Sequence, residues 1–139
     1  CECYKLLCKY RKLRTPSFVV FAFFIRSICI MTIKKKRKQN AIRLSAHEGG
    51  EELGAMYLYL IRNDSHKEPY ALLEDLLVKE EHRGKGIGTA IVKEAIAEAE
   101  RLGCYKVLAT SRASRREVHR FYERLGMKKY GLEFRMDLP

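Results

Sequence analysis

The sequence predicts an α+β domain in which helices pack on a mixed, mostly antiparallel sheet. Three observations predict this. Short runs of strand-forming residues follow one another from residue 32 to residue 78, with polar turns between them. A helical pattern then opens directly from a glycine-rich stretch, "EEHRGKGIGTAIVKEAI" (residues 80–96). Strand, helix and closing strands alternate after it, so a meander feeds a strand–helix–strand–helix segment. The chain's 139 residues suit one domain, and 47% apolar with 32% charged residues fits a globular chain.

The first 30 residues are a different material from the rest. They hold Lys5, Lys9, Arg11, Lys12, Arg14 and Arg26 against Glu2, and four of the five cysteines, Cys1, Cys3, Cys8 and Cys29. A zinc site among these cysteines lacks a histidine and a fourth ligand nearby, so no metal is expected. The apolar run from Phe18 to Ile25 is stopped by Arg26. It is short against the roughly 20 residues a membrane helix needs. Basic residues precede it, but no small-residue cleavage pattern follows. Residue 1 is Cys and the first methionine is Met31. Residues 1–30 are therefore read as an upstream extension, with a membrane anchor as the alternative, and residues 31–139 as the working domain. The lone cysteine of that domain, Cys104, makes no disulfide framework and points to a reduced, cytoplasmic setting.

From Met31 the elements follow in order. "KKKRK" (Lys34 to Lys38) resembles a nuclear-import patch but reads better as a solvated edge strand. Gln39-Asn40 turns the chain into a second strand, Ala41 to Ala46, and "EGGEE" turns it again. Gly54 to Ile61 is aromatic and aliphatic enough for a third strand, and Tyr70 to Val78 for a fourth. The helix runs from about Gly86 to Leu102, with Ile87, Ile91, Ala95, Ala99 and Leu102 on one stripe and Gly103 as its stop. Tyr105 to Thr110 reads as a buried strand. Ser114 and Glu117 have capping-box spacing for the next helix, whose inner face is Val118, Phe121, Tyr122 and Leu125. Gly126 ends it. "MKKYGLEFRMDL" reads as a closing strand, turn and strand.

The glycines of residues 80–96 carry the chemistry. Gly84, Gly86 and Gly88 alternate with Lys85 and Ile87, and Arg83 stands before them. Alternating glycines let backbone come close to a ligand. Successive N–H groups at a helix start then form an anion nest. The physical reading is a phosphate or pyrophosphate cradle. The order of residues is not that of a P-loop, and the glycine spacing misses the dinucleotide fingerprint by one. The net charge of +11 suits an acidic ligand.

"RGKGIGT" after "LEDLLV" resembles the acyl-CoA pyrophosphate loop of the GNAT superfamily of N-acyltransferases. Its pattern [Q/R]-x-x-G-x-[G/A] is met by Arg83, Gly86 and Gly88. "HRFYERLGM" resembles that superfamily's second signature, on a helix forty residues downstream. The resemblance covers about Leu53 to Leu138. It implies a GNAT-like mixed sheet whose fourth and fifth strands splay apart, with pantetheine in the gap. It implies that Leu76, Leu77 and Val78 pair with acetyl-CoA, the co-substrate. Arg83, Gly84, Lys85, Gly86, Ile87, Gly88 and Thr89 would hold its pyrophosphate. Arg112, Arg115 and Arg116 lie near the expected nucleotide end, and a solvated helix start explains them equally well. Arg115 also stands where the superfamily often has a cofactor-touching asparagine. The two helices that usually follow the first strand are absent after Met31. This leaves the acceptor side open and invites a homodimer.

The implied reaction is N-acetylation of a primary amine. An alkylamine has a pKa of about 10.4, so roughly one in two thousand is neutral at pH 7. Glu74 and Asp75 are neighbours on a strand and point to opposite faces, so one of them misses the site unless a bulge intervenes. By resemblance, Glu74 contacts the acceptor or takes its proton, and Tyr122 matches the general acid that protonates the leaving thiolate. Two other classes compete: a non-catalytic acyl-CoA sensor, and a basic nucleic-acid-binding module. The second lacks stacking aromatics interleaved with its basic run. "LEDLLV" with "GCYKV" (Gly103 to Val107) is also similar to the amino-sugar phosphate acetyltransferases of the same superfamily.

Overall fold

The computed structural model describes residues 31–38 and 41–138. The expectations for residues 1–30, and for the turn at Gln39-Asn40, lie outside the described residues. Among those described, five strands form one sheet in the order β1-β2-β3-β4-β5. They are β1 Thr32–Lys38, β2 Ala41–Glu48, β3 Glu51–Ile61, β4 Tyr70–Val78 and β5 Val107–Ala109. The first four are antiparallel neighbours, and β5 runs parallel to β4. Helix α1, Ile87–Arg101, connects β4 to β5, and α2, Arg116–Arg124, follows β5. Among the described residues no helix lies between β1 and β2.

Local chemistry explains most of the boundaries. Gly49 and Gly50 have φ of 55° and 89°, the left-handed pair that a two-residue hairpin between β2 and β3 requires. Alternation then sorts the side chains. Ile42, Leu44 and Ala46 of β2 share a face with Met56 and Leu58 of β3 and with Ala71 and Leu73 of β4. Helix α1 buries Ile87, Ile91, Val92, Ala95 and Ala99 on that face. The opposite face carries Arg43, Tyr57, Tyr59, Leu72 and Glu74, paired across the strands.

The basic run of β1 occupies the sheet edge. Charge there is partly used for docking. Lys35 reaches Glu94 at 2.7 Å and Glu98 at 2.8 Å on α1. Glu98 is only 4% exposed and also pairs with Arg101. The Arg101 guanidinium, helped by Lys35 against the opposing effect of burial, holds the Glu98 carboxyl down at about 2. A depressed carboxylate stabilises the fold above its unfolded pKa. This contribution is complete above pH 4.5 and disappears as pH falls towards 2. Glu98→Gln is expected to cost about 1–3 kcal/mol at pH 7, by leaving Lys35 with a weaker partner. Thermal melts of parent and variant should differ at pH 7 and converge near pH 2. Equal melting temperatures at pH 7 would show that the pair adds nothing.

Three local expectations fail. The strand expected to lie buried over Tyr105 to Thr110 forms only over Val107–Ala109, and none of its three residues is buried, because β5 is the sheet's outermost strand. The capping box at Ser114 and Glu117 does not form. Helix α2 starts one residue late for it, with Arg115 at the N-cap and no side-chain cap, while Ser114 offers its backbone carbonyl to the Arg116 N–H at 3.1 Å. The closing strand, turn and strand after Gly126 are also not found: residues 127–138 join no strand and make no assigned turn. The alternating pattern there is real, but it pairs with no strand edge, and a strand is defined by its pairing.

Candidate active site

Strands β4 and β5 pair only at Ala71/Val107, Leu72/Leu108 and Leu73/Ala109. Beyond Leu73, β4 continues to Val78 while β5 stops at Ala109. The edge of β4 that faces β5 is therefore unpaired from Glu74 onward. A bulge sits where the strands part. Ala55 pairs with Leu77 and Tyr57 with Glu74, so Asp75 and Leu76 together oppose Met56. Asp75 takes the left-handed backbone that makes this possible, φ 53°.

A cavity of about 1080 Å³ opens at this parting. Its walls include Leu76, Leu77 and Val78 of β4, then Arg83, Gly84, Gly86, Ile87, Gly88 and Thr89 at the start of α1. Arg115 and Tyr122 close it from the α2 side. Eleven of the thirteen residues singled out in the sequence thus share one cavity. Lys85 and Glu74 are not in its lining. Lys85 is exposed beside His82, with Nζ 3.5 Å from Nδ1. Arg112 and Arg116 also lie outside the lining, although Arg115 is in it.

The glycine stretch has the geometry of an anion cradle. Gly84 and Gly86 have φ of 75° and 82°, and Gly86 is the N-cap of α1. No side chain caps this helix, so its first N–H groups face the cavity end without a protein acceptor from a cap. Arg83 is anchored there because its Nε donates to the Val78 carbonyl at 3.2 Å. Gly88 lies where α1 meets two other elements. A Cβ at that position would touch Val78, Leu76 and Phe121 at 3.6–3.8 Å.

Both carboxylates of β4 belong to the region, for different reasons. Asp75, turned by the bulge, lines the cavity. Glu74 lies in a second hollow with Tyr59 and Leu72, on the sheet face that also carries Arg43 and Tyr57. Thr110 Oγ1 donates to Glu74 Oε1 at 3.3 Å. Burial raises the Tyr122 hydroxyl above its ordinary 10, and the negative charge of Glu74 adds to the rise. The two side chains therefore feel one another across the gap.

The cavity also takes in residues that sequence reasoning did not single out. Arg43 and Glu52 are on β2 and β3, and Arg43 Nη1 and Nη2 donate to Glu52 Oε2 and Oε1 at 2.8 and 2.7 Å. Tyr57 lies beside them, its ring centroid 6.0 Å from the Arg43 guanidinium carbon. Only strand register brings these three together, and no local motif marks them. Glu51, Glu81 and His82 bring ligand atoms within 4.8 Å of one another at the cavity rim. Lys79 already sits 2.5 Å from Glu51, so this cluster is an exposed ion-pair group. No described helix is long and apolar enough to cross a membrane.

Comparison with known proteins agrees with this fold. A family model described as the acetyltransferase (GNAT) family matches residues 9–127. That match begins within the first 30 residues. A glucosamine 6-phosphate N-acetyltransferase of Trypanosoma brucei brucei is 35% identical over 66 residues, 48% of this chain and 43% of that protein. The alignment thus spans less than half of that relative's length. A crystallised acetyltransferase from Trypanosoma brucei has a TM-score of 0.66 at 24% identity, covering 71% of this chain and 70% of that one, and speaks for the fold alone. A putative acetyltransferase from Agrobacterium tumefaciens str. C58 has a TM-score of 0.69 at 28% identity, covering 73% and 71%.

Proposed function

Because the chain belongs to the acetyltransferase (GNAT) family, we propose that it moves an acetyl group from acetyl-CoA to a primary amine of a small acceptor. The observation that carries this reading is the cavity itself. A strand edge free to pair, a glycine cradle at an uncapped helix start and a half-buried tyrosine converge on it. These residues fit acetyl-CoA. The unpaired edge at Leu76, Leu77 and Val78 suits an amide-bearing arm. The N–H groups at Gly86, Ile87, Gly88 and Thr89, with Arg83, suit a pyrophosphate. Arg115 is assigned to the nucleotide end.

When bound, acetyl-CoA supplies the activated thioester. The chain's own residues do the rest. Glu74, directly or through water, takes the proton of the incoming amine, and Asp75 stands at the bulge beside it. A tyrosine at its ordinary pKa of 10 is protonated at neutral pH, and burial, then Glu74, raise Tyr122 further, so it can donate to the departing thiolate. Positioning supplies about 7–11 kcal/mol in favourable cases, against about 10²–10⁴-fold for acid–base help. The cradle and the strand gap are therefore the larger contributors.

The acceptor side is bounded by Arg43, Glu52 and Tyr57. Amino sugars are the first acceptors to screen, because a matched relative is named for acetylating glucosamine 6-phosphate. A cytoplasmic location, expected from the lone body cysteine, suits such a reaction.

Calorimetric titration with acetyl-CoA tests the proposal. Micromolar binding is expected, weakened about tenfold or more in Arg83→Ala and lost in Gly86→Val, whose side chain cannot take φ 82° without strain. Lys85→Ala should have the smaller effect, since Lys85 is outside the lining. Binding without turnover of any amine would favour an acyl-CoA sensor. No binding by the folded chain would overturn the reading and leave the basic-module alternative.

A further inference from the structure

Strand register sets four side chains in one row on the sheet face away from α1. Lys36 of β1 pairs with Arg43 of β2, Arg43 with Tyr57 of β3, and Tyr57 with Glu74 of β4. Directly paired residues share a face. The row therefore runs from two cations at one end, across a tyrosine, to a carboxylate at the other. Its floor is aromatic, since Tyr57 and Tyr59 stack with ring centroids 6.1 Å apart. Strands lie about 4.8 Å apart, so Glu74 is roughly 10 Å from Arg43 across the sheet and roughly 14 Å from Lys36.

The protein does not balance the cationic end. Like charges directly opposite one another destabilise a strand pair, yet Lys36 faces Arg43. Lys34, exposed like Lys36, adds a third cation to that face. Glu52 answers Arg43, with Nη1 and Nη2 donating at 2.8 and 2.7 Å. That pairing uses one N–H of each terminal nitrogen and leaves the rest of the guanidinium's donors. Lys35, between the two exposed lysines in sequence, points to the other face and finds Glu94 and Glu98 there. Among the described residues Lys34 and Lys36 have no carboxylate at ion-pair distance. The row also adjoins the site: Arg43, Tyr57 and Asp75, the neighbour of Glu74, line the cavity where β4 and β5 part.

We propose that this row selects the acceptor, and that it takes an amine carrying an anionic group of its own, with the amine at Glu74 and the anion on Arg43 and Lys36. The amine end rests on the acetyl-transfer reading, and the anionic end rests on register and charge. A hydrogen bond of about 2.8 Å at each end leaves roughly 4–8 Å between amine and anion. Carboxylate and phosphate share the chemistry required. The same row refuses other amines. A polyamine would set a second positive charge against Arg43 and Lys36. An α-amino acid holds its two charges too close together to reach across two strands.

Titration of the ¹⁵N-labelled full chain, followed by amide shifts, tests this with amines of one length: 6-aminohexanoate, 6-aminohexyl phosphate, 6-aminohexanol and hexamethylenediamine. The better of the two anions is expected to bind about tenfold or more tightly than the alcohol, and to identify the group that is read. The diamine should bind most weakly, and glycine no better than the alcohol. Lys34→Gln/Lys36→Gln changes only exposed side chains and should cut the preference for the anion about threefold. Arg43→Gln should abolish it, in a chain whose far-ultraviolet spectrum is parental. Equal binding of anion and alcohol, tightest binding by the diamine, an anion preference that survives in the lysine variant, or no binding by any of the four overturns the proposal. The titration needs no turnover. It therefore decides the row whether or not acetyl-CoA binds, and the two readings fail separately.

Discussion

Replacing Tyr122 by Phe is expected to lower kcat about 10²–10⁴-fold while leaving acetyl-CoA affinity within a few-fold of the parent. The substitution removes one oxygen and keeps the ring, which packs against Phe121 and the core and helps wall the cavity. If the hydroxyl delivers the proton to the departing thiolate, chemistry slows and binding persists. The pH profile adds a second readout. Burial, then the charge of Glu74, raises the Tyr122 pKa, so the alkaline loss of kcat should lie above pH 10. Stopped-flow acetyl transfer and calorimetry on parent and variant measure both effects. Loss of binding together with rate would assign Tyr122 to packing instead. An unchanged kcat would remove it from the proton path.

Gly54→Ala is expected to damage both stability and cofactor binding, by a route the cavity lining alone does not suggest. Gly54 is a buried residue of β3 that pairs with Val78. A Cβ there would stand 2.7 Å from the Leu77 carbonyl oxygen and 3.1 Å from the Val78 Cα. Both are backbone atoms of the strand that carries the free edge, so no flexible side chain can move aside. β4 must shift away from β3. The cost of such overpacking is about 1–3 kcal/mol. The displaced edge at Leu77 and Val78 should weaken acetyl-CoA binding at least tenfold. Denaturant unfolding and titration with acetyl-CoA read the two effects separately. A variant of parental stability and affinity would show that β4 has freedom to spare.

The glycine turn and the helix it opens were legible in the sequence because their parts are neighbours in the chain. Gly84 and Gly86 need left-handed backbone, and Ile87, Ile91 and Ala95 start a buried stripe immediately afterwards, so turn and helix mark one another. Tyr122 was legible through the resemblance of "HRFYERLGM" to a known signature. The strand edge at Leu76 to Val78 came the same way. Arg43, Glu52 and Tyr57 were not legible, since they meet only through the register of β2 on β3. The bulge was foreseen only as a condition: Glu74 and Asp75 could not both reach the site without one.

By itself the sequence determined the α+β order of elements as far as α2, the position of the glycine turn that opens α1 and the buried face of that helix, because those depend on period and on backbone freedom within a few residues. Tertiary structure decided where β4 leaves β5, how Asp75 turns into the cavity, which charges of β2 and β3 line that cavity and whether residues 127–138 join the sheet. These depend on pairing between segments far apart in the chain. An alternating apolar run states a strand's period, and only the folded sheet decides whether it pairs.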